Sequence, residues 1–498
     1  MKPFAVALAS AFALSTSSLA AEAPDAAILD ARISEGLDKL GVVGLGVAVW
    51  TPKGTYARGF GVTNVESGEK VSAETAFYIA SSTKSFTALA MNILHHRGEI
   101  DLDSTLADFA QDAAFPVSVK PDQARLRDLL THASGIENDH ISFRAAFSGE
   151  HDPATMWRLL AASEPNAEAP LGSFQYTNTG YNILTVLTDR KLGKSWQDIL
   201  ADEIFTPAKM TRTSAYMSEA AKGNWSLARP HVGVGPDAPT RISLEKTDAT
   251  MQSAGGMIMS ANDAAKWLEL MIADGSLGGK QAFPAQAVVE TRARLVETSG
   301  EHDGYTREHY GLGWYVGRYR DEVLIHHFGG FAGTRAHISY MPERTAGVAV
   351  FANDSGVGGR FSSVVANYIY DMLAGRPDAD ETYSAAVTAL AATRDNANLR
   401  IAADIEKRRS RAWALTRPRA DYAGIYASDL AGTMTVAVDG EGLLLSIGAL
   451  KARAEPFTEQ DTVRVELVPG QGEIISFKTG AGGVKALVYD GTEFARRK

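Results

Sequence analysis

The sequence predicts an α/β protein of the α+β type, with an antiparallel sheet flanked by helices and, after it, a small antiparallel β-barrel or sandwich. Strand-like apolar runs stand near the start of the chain and again between residues 311 and 353. A long helical stretch separates these two groups of strands, and after residue 422 the pattern changes to short strands with regular turns. The simplest packing brings the early and late strands into one sheet that helices cover.

The first predicted elements are a helix and a hairpin. Apolar residues at helical spacing indicate a helix over residues 26–40. Two apolar runs, 44–50 and 55–62, are joined by the turn Thr51-Pro-Lys-Gly54 and form the hairpin. A later apolar stretch changes at Ser81 from strand-like to helical, and helical spacing then dominates to about residue 210.

The second half of the chain is predicted to return to the sheet. A glycine turn at 253–256 leads into a helix over 263–272, and strands follow at 311–316, 322–327, 336–340 and 346–353. Polar residues 375–380 mark a boundary, and a helix over 385–415 follows it. The C-terminal strands are predicted at 433–438, 443–447, 463–468, 473–477 and 484–489, a spacing typical of a small barrel or sandwich.

The N-terminus has the pattern of a secretory signal. Lys2 supplies the positive start, residues 4–14 form an apolar core, and Ser18-Leu-Ala20 supplies small residues for cleavage after Ala20 or Ala21. The apolar run is about a dozen residues long, shorter than the roughly 20 that a membrane-spanning helix needs. We therefore expect a periplasmic or secreted protein with no membrane span once the signal is removed.

Composition excludes several classes of protein. The formal net charge of −10 leaves no basic stripe to neutralise phosphates, which disfavours nucleic-acid binding. The basic run Lys407-Arg-Arg409 stands beside Glu406 and is interpreted as a solvated helix face. The chain has no cysteine, so disulfides, thiolate zinc sites and a cysteine nucleophile are excluded. We expect no cofactor and no metal.

The pattern Ser-x-x-Lys occurs three times, at Ser67, Ser81 and Ser243. Only Ser81 follows a strand-like end and precedes an apolar helix. Residues i and i+3 share a helix face, so Lys84 can reach the Ser81 hydroxyl, and a desolvated lysine can lose its proton near neutral pH. The first helical turn also offers backbone N–H groups to a developing oxyanion. The alternative is that Ser81 merely caps the helix.

A second candidate element is Tyr176-Thr-Asn178. A tyrosine whose pKa is lowered by a nearby ammonium could carry the proton between Ser81, Lys84 and a leaving group. Asn178 could bond both the lysine and a substrate amide. The alternative is a loop before a helix, with Asn178 as the cap.

A third candidate is His327-Phe-Gly-Gly330, at the end of a predicted strand. Glycines there let a substrate backbone approach the strand edge, and the N–H of Gly330 could be an oxyanion donor. His327 would face the site as a hydrogen-bond donor. The alternative is a strand that ends in a glycine turn. Two other His-x-Gly triplets, at His231 and His302, lie in loops and are interpreted as incidental.

Together, in this order, the three motifs resemble those of the serine β-lactamase and penicillin-binding superfamily, most closely its class C branch with esterase and D-aminopeptidase relatives. Segments 129–135, 253–256 and 351–353 resemble the same branch. The resemblance implies a five-stranded antiparallel sheet, an all-helical subdomain and an acyl-enzyme mechanism. The C-terminal part resembles the lipocalin-like barrels appended to some of these hydrolases.

By this resemblance Ser81 is the nucleophile, and Lys84 and Tyr176 are the pair that transfers protons. Asn178 and His327 complete the catalytic set. The N–H groups of Ser81 and Gly330 would form the oxyanion hole. His327 stands where β-lactamases usually have a lysine that helps to hold a substrate carboxylate. A histidine, neutral much of the time at pH 7, would hold it less well. Esters or peptide amides are therefore favoured over penicillins as substrates.

One further triplet, Lys478-Thr-Gly480, spells the third β-lactamase motif outright. It lies in the strand-rich tail, far beyond Tyr176, and is interpreted as a solvated turn.

The predicted organisation is a signal peptide at 1–20, a β-lactamase-like hydrolase domain at 25–375, a helical linker at 376–415 and a β-barrel at 416–498. The predicted function is a serine hydrolase acting on a small-molecule ester or peptide, of esterase, D-aminopeptidase or carboxypeptidase type. The alternative is a penicillin-binding sensor or cell-wall binding protein that acylates without turnover. A catalytically dead structural protein is disfavoured, because all three motifs are intact.

Overall fold

A computed structural model of the protein describes residues 21–497. The predicted signal peptide, residues 1–20, lies outside this range. Between residues 21 and 497 the helices are all too short or too polar to cross a membrane.

A large antiparallel sheet forms the centre of the first part of the chain. Its main strands run, in spatial order, Tyr315–Tyr319, Glu322–Phe331, Thr334–Met341, Ala346–Ala352, Gly44–Thr51 and Gly54–Gly61. The early hairpin thus pairs with the last of the late strands, with Val47 opposite Val350. The predicted α+β class is confirmed. Beyond the five strands that the resemblance implies, Tyr315–Tyr319 and the short strands Val296–Glu297, Glu301–His302, Tyr305–Thr306 and His309–Tyr310 widen the sheet.

Each face of this sheet is covered by helices, because its central strands are apolar on both faces. The strand Gly44–Thr51 is almost entirely buried, with alternate residues in two separate cores. Helices Thr83–His96 and Ala261–Ile272 belong to one core. Helices Ala26–Leu40 and Gly358–Leu373 belong to the other core, together with the first half of helix Ala379–Arg409.

The middle of the chain forms a helical region beside the first core. Its apolar side chains join the cluster that contains the helix Thr83–His96. Its helices are Leu106–Phe109, Leu126–Leu130, Asp139–Phe143, Pro153–Leu159, Thr179–Leu192, Trp196–Leu200 and Met217–Lys222, with a further short helix at Ala285–Thr291. Four small antiparallel sheets of two or three strands lie among the described helices. Their strands are Ala76–Tyr78 with Ile258–Ser260 and Thr213–Ser214, Ile136–Glu137 with Glu164–Pro165, His231–Val232 with Thr240–Arg241, and Ser276–Leu277 with Lys280–Gln281.

The long helix Ala379–Arg409 follows the polar stretch where a boundary was predicted. It begins and ends about six residues earlier than the predicted helix 385–415, and its first turn contains the acidic residues Asp380 and Glu381, which are favourable at a helix N-terminus. Tyr383, Val387 and Leu390 pack into the second core. The segment predicted as a linker is therefore packed over its first half.

The C-terminal part is a nine-stranded antiparallel sheet around its own apolar core. Its two edge strands, Leu450–Arg453 and Glu455–Pro456, are consecutive in the chain, so the sheet curves back on itself as a barrel does. The other strands are Gly424–Ser428, Gly432–Asp439, Gly442–Ile447, Thr462–Val468, Gln471–Gly480, Gly483–Tyr489 and Thr492–Arg496, and the turn of helix Arg419–Tyr422 precedes them. The five predicted strands are all present.

Arg144 and Glu150 join the helical region to the barrel. The Arg144 guanidinium donates to the backbone carbonyls of Leu430 at 2.8 Å and Asp429 at 3.3 Å. The Glu150 carboxylate accepts from the backbone N–H of Thr433 at 2.9 Å. These bonds seat the barrel beside the end of the main sheet at which Ser81 lies.

Candidate active site

Ser81 lies in a tight turn between a short strand and a helix. The strand Ala76–Tyr78 leads into a 3₁₀ turn, Ala80–Ser82, and the helix Thr83–His96 follows. Ala80 has φ +46°, a left-handed conformation that alanine rarely adopts and that is typical of strained functional turns. The N-cap of the helix is Ser82, whose hydroxyl donates to the His327 carbonyl. Ser81 is therefore not the helix cap, and its partly exposed hydroxyl is available for chemistry.

Lys84 is completely buried directly beneath Ser81. Its amine lies 2.7 Å from Asn178 Oδ1, 2.8 Å from the Ala254 carbonyl oxygen and 3.4 Å from Ser81 Oγ. Burial away from water lowers the pKa of Lys84 well below its usual value. Burial therefore favours the neutral amine of Lys84 over the ammonium form.

The partners of Lys84 fix where its lone pair points. Asn178 Oδ1 and the Ala254 carbonyl can only accept hydrogen bonds, so they take both hydrogens of a neutral amine. The lone pair is then left for the Ser81 hydroxyl, whose proton it can accept. The 3.4 Å separation is long for a hydrogen bond, and such contacts shorten when substrate is bound.

Asn178 stands at the start of the helix Thr179–Leu192, as predicted from the sequence. Its side-chain oxygen accepts from Lys84, which is the role predicted for it. Its side chain makes no capping hydrogen bond to the helix, so the alternative that Asn178 serves as a side-chain cap is not supported.

Tyr176 lies beside both Ser81 and Lys84. The amine of Lys84 is 4.9 Å from the centre of its ring. Burial raises the pKa of Tyr176, and the neighbouring Ser81 hydroxyl offsets only part of this increase. The expected lowering of its pKa by an ammonium is thus wrong, because burial of the phenol outweighs the neighbouring groups that lower its pKa. Tyr176 is a phenol at neutral pH and can serve as a hydrogen-bond donor or a proton relay.

The strand Glu322–Phe331 approaches the Ser81 turn very closely. A Cβ atom at Gly329 would collide with the Ile79 carbonyl and lie 3.2 Å from the Ser81 backbone nitrogen, so only glycine fits there. Gly330, the next residue, lines the same cavities as Ser81. This placement is consistent with its predicted role, which stays a prediction.

His327 lies near the site, but both its ring nitrogens have protein partners. Nδ1 is 2.9 Å from the Phe328 carbonyl, which can only accept, so Nδ1 carries the hydrogen in a neutral ring. Nε2 is 3.1 Å from the Tyr310 hydroxyl and is then the acceptor. Burial lowers the pKa of His327 well below its usual value, which favours this neutral form. The predicted orientation of His327, as a donor facing the substrate, does not fit these contacts.

The hydrogen-bond chain continues from Tyr310 to a second histidine. His132 Nδ1 accepts from the backbone N–H of Thr177 at 3.3 Å, so Nε2 carries the hydrogen and donates to the Tyr310 hydroxyl at 3.3 Å. Tyr310 in turn donates to His327. The chain ties the Tyr176-Thr-Asn178 loop to the strand that carries Gly330.

Several contributors to the site were not singled out from the sequence. The Ala254 carbonyl was missed because a backbone acceptor has no side-chain signature. Tyr310 was missed as the partner of His327, and so was His132 as the partner of Tyr310, although His132 lies in a segment that resembles the class C branch.

Two cavities open at Ser81. The long cleft, of about 1180 Å³, extends from Ser81 and Asn178 to the second half of the helix Ala379–Arg409 and to the barrel hairpin. Its far wall includes Ile401, Ile405, Val468, Pro469 and Gln471. A second cavity of about 640 Å³, here called the Arg307 pocket, shares Ser81, Gly330 and Arg335 with the long cleft. It is lined by Tyr176, His327, Arg307, Arg335 and Arg360, among others.

The remaining look-alike motifs differ in their placement. His302 and Asp303, of a His-x-Gly triplet interpreted from the sequence as incidental, line the Arg307 pocket and so lie near Ser81. Lys478 is exposed and pairs with Glu493, and Thr479 donates to Asp461 at 3.1 Å, so Lys478-Thr-Gly480 is part of the barrel surface as predicted. Lys246 of the third Ser-x-x-Lys pattern is buried, with its amine 3.9 Å from the ring centre of Phe331 and bonded to the Ala146 and Thr250 carbonyls.

The family model described as beta-lactamase matches residues 29–364. The chain belongs to the beta-lactamase family. This membership confirms the predicted relationship and, with it, the prediction of an enzyme of the serine hydrolase class.

Among known proteins, the chain is 24% identical over 346 residues to the unguisins hydrolase ungD of Aspergillus violaceofuscus, covering 65% of this chain and 60% of that protein. The chain thus spans about 60% of the length of this curated relative.

The fold is shared with solved structures, of which two are described here by their similarity to this chain. The octameric penicillin-binding protein homologue from Pyrococcus abyssi has a TM-score of 0.58 at 21% identity, covering 95% of this chain and 100% of that one. The D-amino acid amidase from Ochrobactrum anthropi has a TM-score of 0.58 at 20% identity, covering 70% of this chain and 99% of that one.

Proposed function

We propose that this protein hydrolyses an amide or ester bond of a small peptide-like substrate through an acyl-enzyme on Ser81. The observation that carries the proposal is the environment of Lys84. Its two carbonyl-type partners, Asn178 Oδ1 and the Ala254 carbonyl, occupy the hydrogens of the neutral amine and leave its lone pair for Ser81. Such an amine is a general base held within reach of a nucleophile.

In the proposed acylation, Ser81 Oγ attacks the carbonyl carbon of the substrate while Lys84 Nζ takes the hydroxyl proton. The backbone N–H groups of Ser81 and Gly330 would hold the oxyanion. Collapse of the tetrahedral intermediate breaks the bond to the leaving group, which receives the proton from Lys84 directly or through the Tyr176 phenol. The product of this half-reaction is an ester on Ser81.

Deacylation reverses these roles with water as the nucleophile. Water attacks the ester carbonyl and gives a proton to the same Lys84–Tyr176 pair. Ser81 Oγ leaves and recovers its proton, and the acid product departs. No step requires a group other than water and the named side chains.

A peptide-like substrate is supported by the size of the long cleft. Its volume of about 1180 Å³ exceeds the roughly 300–1,000 Å³ of common small-ligand sites. Its walls combine apolar side chains, such as Ile401 and Val468, with polar ones, such as Gln471. The name of one structural neighbour, a D-amino acid amidase, favours an amide bond over an ester.

The test is steady-state turnover of a panel of nitrophenyl esters, D- and L-aminoacyl amides, short peptides and penicillins. We expect sustained turnover of at least one ester or amide, which Ser81→Ala abolishes. Ser67→Ala is the matched control, because Ser67 heads an exposed Ser-x-x-Lys pattern away from the site. A stoichiometric burst followed by silence would instead favour the penicillin-binding sensor.

The proposed location is the periplasm or the exterior of the cell. The support is the signal-like pattern of residues 1–20. Expression of the full chain should give a secreted or periplasmic product whose measured mass lacks residues 1–20 or 1–21. A cytoplasmic product of full mass would contradict it.

A further inference from the structure

Lys246 is a buried lysine that the proposed reaction does not use. It belongs to the third Ser-x-x-Lys pattern, and only 8% of the residue is exposed. Its amine donates to two backbone carbonyls, that of Ala146 and, at 3.2 Å, that of Thr250. Burying an amine costs free energy that an apolar side chain of the same length would not cost. The presence of Lys246 at this position therefore calls for a role beyond packing.

Three aromatic rings surround the Lys246 amine. The nitrogen lies 3.9 Å from the centre of the Phe331 ring and 5.6 Å from the centres of the Tyr78 and Phe147 rings. The centre of the Phe331 ring is itself 5.7 Å from that of Tyr78 and 5.6 Å from that of Phe147. These four side chains are here called the Lys246 cage. The amine thus lies where side chains from three separate segments of the chain meet.

Two rings of the Lys246 cage adjoin the reacting groups. Phe331 immediately follows Gly330 and ends the same strand. Tyr78 ends the short strand that leads into the Ser81 turn. The contact between Tyr78 and Phe331 therefore joins the two segments that carry the proposed oxyanion donors, and it helps to set the distance between those donors.

Lys246 itself lies behind the wall of the long cleft. The three rings of the cage line this cleft, whereas Lys246 does not. Lys246 borders instead a small cavity of about 40 Å³, which Tyr78 and Phe331 also line. An effect of Lys246 on a substrate in the cleft must therefore pass through the rings.

The two carbonyl partners of Lys246 anchor the cage to its surroundings. Thr250 lies on the loop that continues to Ala254, whose carbonyl accepts from Lys84. Ala146 lies in the π-helical turn that carries the third ring of the cage. Both carbonyls can accept from an amine or from an ammonium, so they hold the Lys246 side chain in place in either charge state.

We propose that Lys246 is a positioning residue for the oxyanion hole. Its amine keeps Phe331 packed against Tyr78. That contact fixes the N–H of Gly330 relative to the N–H of Ser81. The inference rests on the proposed function and adds a residue to it, and no bond is made or broken at Lys246. Oxyanion donors stabilise the transition state more than the bound substrate, so their displacement lowers kcat more than it changes KM.

The test is the steady-state kinetics of Lys246→Met in the full-length protein, on an ester or amide that the unmodified protein turns over. Methionine has nearly the same length as lysine but donates no hydrogen bond. We expect kcat to fall roughly 10- to 100-fold while KM changes by less than about threefold. Urea unfolding of each variant establishes that it is folded under the assay conditions.

Lys246→Arg is the conservative variant. Its guanidinium can donate to the same carbonyls and stack on Phe331, and the cavity of about 40 Å³ beside Lys246 gives it room. It should keep kcat within about threefold of the unmodified value, because the donors and the ring contact are preserved.

Lys266→Met is the matched control for the loss of a bonded amine. The Lys266 amine donates to the Lys209 carbonyl at 2.6 Å and pairs with Asp263 at 2.7 Å, and Lys266 lines neither the long cleft nor the Arg307 pocket. This variant should lower the free energy of unfolding without lowering kcat.

A double variant tests whether the effect passes through Phe331. Phe331→Leu removes the ring that the amine contacts and should lower kcat by itself. If both residues act through one contact, Lys246→Met should lower the kcat of Phe331→Leu little further, and the two separate losses should not multiply.

An unchanged kcat in Lys246→Met would overturn the inference, and so would losses that multiply in the double variant. An equal loss of kcat in Lys266→Met would also overturn it, since the loss would then be a general result of lowered stability. If Lys246→Met does not fold, Phe331→Leu decides: a kcat-selective loss supports the inference, and an unchanged kcat overturns it. Absence of turnover by the unmodified protein would be a failure of the proposed function itself.

Discussion

The amine of Lys84 lies 2.7 Å from the side-chain oxygen of Asn178 and 3.4 Å from the hydroxyl of Ser81. The neutral amide oxygen of Asn178 accepts one hydrogen of the Lys84 amine. A carboxylate in its place would favour the protonated, charged form of Lys84, whereas the amide does so much less. This distinction underlies the first prediction.

Asn178→Asp should shift the pH dependence of the reaction. A carboxylate beside the amine favours the charged lysine and raises its pKa, so less of the free base exists at neutral pH. We expect kcat/KM at pH 7 to fall at least tenfold and to recover partly at higher pH. The measurement is a pH profile of kcat/KM for both forms. A uniform loss at every pH would show that Asn178 acts on the substrate rather than on Lys84.

The unmodified protein should lose activity as the pH falls through the pKa of Lys84. That pKa is lowered by burial, so the base form is present well below the usual pH for a lysine. kcat/KM should therefore rise with pH and level off before the range near 10.4 in which an exposed lysine titrates. A rise that continues through pH 10 would contradict a neutral Lys84 at pH 7.

Lys246 should make folding stability depend on pH above neutrality. Burial lowers its pKa to about 7, below the unfolded value of about 10.5. Between these values the unfolded chain binds more protons, so stability rises with pH, at most by ~1.4 kcal/mol per pH unit. Below pH 7 this contribution is lost. The free energy of unfolding, measured with urea at several pH values, should rise less steeply with pH for Lys246→Met than for the unmodified protein. Equal dependence on pH in the two proteins would refute the prediction.

Gly329→Ala should disable the Ser81 turn. The new methyl group would collide with the Ile79 carbonyl, and a shift of either strand or turn displaces Ser81. We expect a stability loss of about 1–3 kcal/mol and a much larger relative loss of kcat. Gly482→Ala is the control, because a methyl group there has nothing within 4 Å. Full activity of Gly329→Ala would show that the two segments are not in close contact.

Ile401→Trp should narrow the far end of the long cleft. The larger side chain would occupy space next to Val468 that the proposed peptide uses. kcat/KM for peptides of four or more residues should fall about tenfold more than kcat/KM for a nitrophenyl acetate-type ester. Leu399→Trp, on the solvent side of the same helix with 72% exposure, is the matched control. Equal losses on both substrates would mean that the cleft does not hold the peptide.

Much of the fold and part of the site could be predicted from the sequence. The helix Ala26–Leu40 and the paired strands followed from local apolar periodicity, and Ser81, Lys84 and Asn178 followed from motifs in context. Other features depend on distant pairing. Arg307, Arg335 and Arg360 meet only through strand register and helix placement. The protonated state of Tyr176 depends on how deeply the fold buries it.

The proposed roles of Ser81 and Lys84 are tested by the rate at which a fluorophosphonate probe labels Ser81, followed by intact mass and peptide mapping across a range of pH. We predict one probe per chain, located on Ser81, with a labelling rate that rises with pH and reaches its plateau below pH ~10. Ser81→Ala should take up no probe, and Lys84→Met should label at least 100-fold more slowly without that pH dependence. Labelling of another residue, or an unchanged rate in Lys84→Met, would contradict it.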